Sequence, residues 1–172
     1  MKYKHYNAKA SQRSWTLIEM VMVIVIMGIL AATAVVRIND VIQAGRVSKA
    51  ASDVNIIKKA VMSYYGYNGY FPAEVAAGAD PGLVPDYIDA WPAENPWNGE
   101  YDYNYGTYAN FNHDGTAGNE VYVSIDQGST ALSSSVRTEV DNLLDDGTTS
   151  SGNVRSPDAT AIDVYVAEGP DS

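Results

Sequence analysis

The stretch from Trp15 to Val36 constrains this chain more than any other part of it. No basic residue occurs between Arg13 and Arg37, and from Met20 to Val36 only Gly28 and Thr33 interrupt the apolar side chains. As a helix these 22 residues reach about 33 Å, enough to cross a hydrocarbon core of about 30 Å. Lys2, Lys4, Lys9 and Arg13 precede the run, and residues 1–14 contain no acid. From Ala60 onward Arg137 and Arg155 are the only basic side chains, against 18 acids. Basic residues stay on the cytoplasmic side of a membrane, so residues 1–14 are expected in the cytoplasm and the acidic body beyond the inner membrane.

An ordinary secretory signal also has a basic start, an apolar middle and small residues at its cut, here Ala32-Thr33-Ala34. On that reading the mature chain begins at Val35. Two features oppose it: Glu19 at the head of the run, and the continuation of a helical pattern past the small residues. Ala50, Val54, Ile57, Val61 and Tyr64 recur at spacings of four and three, with Ser52, Asp53, Asn55, Lys59 and Ser63 on the other faces. No proline lies between Trp15 and Tyr65, which permits one continuous helix over 15–65. The alternative is two helices broken near Asn39-Asp40 or Gly45.

The segment Ser14-Trp15-Thr16-Leu17-Ile18-Glu19-Met20, running on through Gly28-Ile29-Leu30-Ala31-Ala32 to Val36, resembles the N-terminal motif of type IV prepilins and type II secretion pseudopilins. The resemblance implies a leader, 1–14, removed by a prepilin peptidase between Ser14 and Trp15, with Trp15 then methylated. It implies that Glu19 is the family's assembly glutamate, and that an inner-membrane assembly platform handles the processed subunit. Ser14 stands where glycine is usual, Trp15 where phenylalanine or methionine is usual, and Val36 where many members have proline. Gly28 remains as the weak point of the helix, costing about 1 kcal/mol relative to alanine.

A carboxylate at mid-membrane depth costs about 2.5–3.5 kcal/mol on insertion scales. One offset is mild: Glu19 falls in the first turn of its helix, where the dipole favours an anion. The other is functional: in a filament, Glu19 pairs with the N-terminal amine of Trp15 on a neighbouring subunit and fixes the axial register, because any other stagger leaves a buried charge alone. The apolar side chains cover all sides of the helix, so copies of it are its natural surrounding once it leaves lipid.

The remainder, 66–172, reads as an acidic globular α+β head with a loop-rich C-terminal extension. Gly66, Gly69 and Pro72 end the helix. Tyr101, Tyr103 and Tyr105 alternate, as do Val121, Val123 and Ile125, and then Ile162, Val164 and Val166, predicting three strands of a small antiparallel sheet packed on the helix. Leu132 to Leu144 is a candidate short helix ending at Gly147. Tyr-Phe-Pro after the helix and Asn95-Pro96-Trp97-Asn98-Gly99 before the first strand resemble the body of major pseudopilins as far as Ile125, and no chemistry is assigned beyond Asp126. Asn110 to Gly115 approaches the start of an EF-hand loop but has its acid one place early, at Glu120. Major pseudopilins bind calcium at about this point, which implies Asn112, Asp114, Asn119 and Glu120 as candidate Ca2+ ligands. The other reading is a turn rich in Asn, Asp and Gly for backbone reasons.

Several chemistries are disfavoured by composition. A net charge of −10 argues against nucleic-acid partners. Without cysteine there are no disulfides or thiolate sites, and of two histidines only His113 lies in the body, where it reads as a loop residue. Thirteen tyrosines are explained by strand pairing and core packing before any adhesive or charge-moving role. The expected fold is α+β and pilin-like, and the expected function is a structural, non-enzymatic filament subunit. The alternatives are a major pseudopilin acting as a periplasmic piston in type II secretion, or a soluble secreted protein.

Overall fold

The computed structural model describes residues 14–106, 111, 120–128 and 130–169, apart from the side chains of 34–37. The chain divides into two compact units, Met1–Val41 and Ile42–Ser172. One helix, α1, runs over Leu17–Asn68. It passes Asn39, Asp40 and Gly45 without a break.

In the second unit, α1 is followed by a long irregular segment, then β1 (Glu100–Gly106), β2 (Glu120–Asp126), α2 (Ser134–Leu144), β3 (Val154–Arg155) and β4 (Ala161–Glu168). The four strands form one antiparallel sheet in the order β1-β2-β4-β3. Alternating side chains meet across it in rows: Tyr101 opposite Ile125 opposite Ile162, and Tyr103 opposite Val123 opposite Val164 opposite Val154. Against this face α1 contributes Val47, Ala50, Val54, Ile57 and Val61, all buried and spaced by three and four. Each fully buried aliphatic side chain of that stripe contributes about 1.5–3 kcal/mol. From α2, Val136 and Val140 join the same core.

The core tyrosines keep their hydroxyls bonded. Tyr101 donates to Asp53 Oδ2 of α1 at 3.0 Å, and Asp53 also pairs with Lys49 Nζ at 2.7 Å. Tyr103 donates to the Pro72 carbonyl at 3.0 Å. Burial, followed by the Asp53 carboxylate, raises the Tyr101 pKa, so this phenol remains a donor throughout the physiological range.

Two expectations need correction. The helix does not stop at residue 65 or at Gly66. It ends three residues later, where Asn68 Nδ2 caps the Tyr64 carbonyl at 3.0 Å and Gly69, at φ +78°, takes the left-handed conformation that closes the last turn. Nor is the region after Asp126 a loop-rich appendage. It supplies α2, β3 and β4, and β4 lies inside the sheet between β2 and β3. The far face of β2 and β4 is largely covered as well. Ser124 donates to Asp163 Oδ1 at 2.6 Å with both residues buried. Phe111, fully buried, packs on Tyr122 and Tyr165 with ring centres 5.8 Å apart in each case.

The turn into β1 is held by one side chain. Asn95, 3% exposed, accepts from the N–H groups of Trp97 (2.9 Å) and Gly99 (3.1 Å) and from Gln127 Nε2 (2.8 Å). Its own amide donates to the carbonyls of Glu100 (3.2 Å) and Asp126 (2.9 Å). The chain passes so close that a Cβ on Gly99 would stand 2.0 Å from the Asp126 carbonyl oxygen. Asn95 thus ties the start of β1 to the end of β2. Replacing it by alanine strands several buried polar groups, and Asn95→Ala is expected to cost about 2–4 kcal/mol. Thermal unfolding should show a clear fall in Tm for this variant and almost none for the exposed neighbour Glu94→Ala.

Candidate functional site

The site of interest is the first turn of α1 and the apolar helix that follows. Ser14, Trp15 and Thr16 precede the helix, which starts at Leu17. Thr16 stands at the N-cap and Glu19 three residues later, and their side chains bond reciprocally. The Glu19 N–H donates to Thr16 Oγ1 at 3.3 Å, while the Thr16 N–H and hydroxyl both donate to Glu19 Oε2 at 2.9 Å. This is a capping box. It fastens Glu19 across the first turn, and among the described residues both of the bonds that its carboxylate accepts fall on Oε2.

Beyond this cap every described side chain from Leu17 to Thr33 is exposed, Leu17 at 82% and Ile24 at 65%. The helix has a mean hydropathy of 2.6 in its most apolar stretch, which is sufficient by length and composition to cross a membrane, and the described side chains of that stretch are not buried. Gly28 is helical, and a Cβ placed on it would meet no atom within 4 Å. Thr33 satisfies its hydroxyl by donating to the Leu30 carbonyl at 2.9 Å. An apolar rod whose only charged side chain before Arg37 sits at its tip can enter lipid or pack among copies of itself.

The structure therefore brings Ser14, Trp15 and Glu19 together around Thr16 and leaves Gly28 apart on the open helix. Thr16 was the partner that sequence reasoning overlooked, although Thr-x-x-Glu ahead of an apolar run is its signature. Of the candidate calcium ligands, Asn112, Asp114 and Asn119 lie outside the described residues, as does His113. Glu120 opens β2, is fully buried, and stands opposite Gly106 and Glu168.

Residues 9–35 match the prokaryotic N-terminal methylation motif, and residues 41–116 match the C-terminal region of PilW. The chain is 41% identical over 69 residues to the fimbrial protein EcpC of Eikenella corrodens, covering 40% of this chain and 45% of that protein. It is 33% identical over 101 residues to the toxin coregulated pilin of Vibrio cholerae, covering 56% of this chain and 45% of the relative. The chain thus spans under half the length of these curated relatives. In fold it is similar to the major type IV pilin PilA1 of Clostridium difficile, with a TM-score of 0.51 at 16% identity, over 73% of this chain and 96% of that one.

The capping box makes a local prediction. Thr16→Val removes the hydroxyl that accepts from Glu19 and donates to it, and should weaken the first turn by about 1 kcal/mol. Amide hydrogen exchange of the detergent-solubilised protein would register this as faster exchange at Glu19 and its neighbours, with protection at Ile57 unchanged.

Proposed function

We infer that this chain, which carries the prokaryotic N-terminal methylation motif and the fold of type IV pilins, is a structural subunit of a type IV pilus-like filament. Before assembly it is held in the inner membrane by the first half of α1, with the leader in the cytoplasm and the head outside. A prepilin peptidase cuts between Ser14 and Trp15, Trp15 is methylated, and an inner-membrane platform feeds the subunit into the filament. The observation that carries this reading is the fully uncovered apolar surface of α1 from Leu17 to Thr33, headed by a single anchored acid.

Withdrawal from lipid exposes that surface on every side, and a bundle of identical helices covers it on every side. Glu19 then serves twice. Oε2 caps its own helix through Thr16, and Oε1 is the oxygen left to meet the amine of Trp15 on the next subunit. In an apolar bundle the pair is stable only in register, because each partner alone is a buried charge. The relatives named above are a fimbrial protein and a toxin coregulated pilin, which favours an exposed pilus over a short pseudopilin piston. The methylation motif runs through Ala32-Thr33-Ala34 to residue 35, which favours a retained helix over a discarded signal.

Glu19→Gln keeps a side chain of the same shape and removes the charge. It should leave membrane insertion unchanged and lower filament yield by about tenfold or more, as expected when a buried charge loses its partner. Sheared surface filaments and membrane fractions, quantified side by side, give both readouts. An undiminished filament yield would contradict the register role of Glu19.

A further inference from the structure

Three aspartates at the C-terminal end of α2 take no part in the site above. Asp141 lies in the last turn of α2, Asp145 is its C-cap, and Asp146 follows. Each offers a carboxylate oxygen, and these oxygens lie within 4.8 Å of one another. Like charges at that spacing repel unless something is placed between them. Among the described residues no Lys or Arg forms an ion pair with any of the three, and Lys58 of α1 acts on Asp145 only from a greater distance.

The backbone fixes the three side chains without neutralising them. The Gly147 N–H donates to Asp141 Oδ1 at 3.2 Å, the Thr148 N–H to Asp146 Oδ1 at 2.8 Å, and the Asn153 N–H to Asp145 Oδ2. Asp141 supplies a separate observation: it is 0% exposed, and its Oδ2 receives no hydrogen bond. A buried carboxylate oxygen without a donor is costly to leave in that state.

We propose that Asp141, Asp145 and Asp146 form a calcium site, closing the end of α2 onto the turn that leads into β3. The donor set is all carboxylate, which suits a hard cation. Calcium accepts oxygens at about 2.3–2.6 Å, so ligands on opposite sides of one ion stand about 4.8 Å apart, and its flexible coordination completes itself with water. Magnesium demands a tighter octahedron and gives up its waters reluctantly. The set shares no residue with Asn112, Asp114, Asn119 and Glu120, and does not depend on the filament reading.

The test is thermal unfolding of the full chain in detergent, stripped with chelator and titrated with CaCl2 or MgCl2. Calcium at about a hundredfold excess over its Kd should raise Tm by about 5–10 °C, and magnesium by less. Asp146→Asn alters only an exposed side chain and should abolish the calcium shift. Asp141→Asn keeps the acceptor for the Gly147 N–H and should abolish it too, with a higher Tm than wild type in chelator because the buried charge is gone. Absence of a shift in the wild-type protein overturns the proposal. An undiminished shift in both variants also overturns it, since calcium then binds elsewhere.

Discussion

An apolar helix with no covered face is the constraint on which this structure turns. From Leu17 to Thr33 the chain buries none of its described side chains against itself, whereas from Val47 the same helix buries a stripe at every third or fourth position. One continuous element thus serves two solvents. Its first part requires a partner that is apolar all round, and its second part requires one sheet face. The hydrophobic effect is non-directional, so the first part accepts either lipid or copies of itself, and the proposed passage from membrane to filament rests on that indifference.

The acid at the tip gives this indifference a direction. Glu19 is locked to Thr16 by reciprocal hydrogen bonds, so its carboxylate is held at a defined place on the first turn and does not sweep through space. A fixed charge discriminates between neighbouring positions where apolar contacts do not. The local role in capping and the proposed role in register are therefore complementary: the first sets the geometry that the second requires.

Much of this was legible in the sequence because it rests on periodicity. The spacing of Ala50, Val54, Ile57 and Val61 and the alternation at 101–105, 121–125 and 162–166 specified the helix, the strands and the face that each buries. What escaped depends on partners distant in the chain. The place of β4 inside the sheet follows from pairing with both β2 and β3, and the buried Ser124–Asp163 pair makes the far face resemble a solvated one. The role of Asn95 rests on Gln127 and Asp126, some thirty residues away. The end of α1 was misplaced because Gly66 and Gly69 look equivalent in sequence, and only Gly69 has the positive φ that closes the turn. Thr16 was readable but was overshadowed by the membrane cost of Glu19. The three aspartates at the C-terminal end of α2 were visible as residues, and only folding makes one of them buried and brings their oxygens together.

The proposed membrane anchor and filament core both require that the mature protein retain the apolar helix. Intact-mass and N-terminal analysis of the exported product tests this most directly. A chain beginning at Trp15 with a single added methyl group is the expected result. A product beginning at Val35, stripped of the helix, would contradict the membrane anchor and the filament core together.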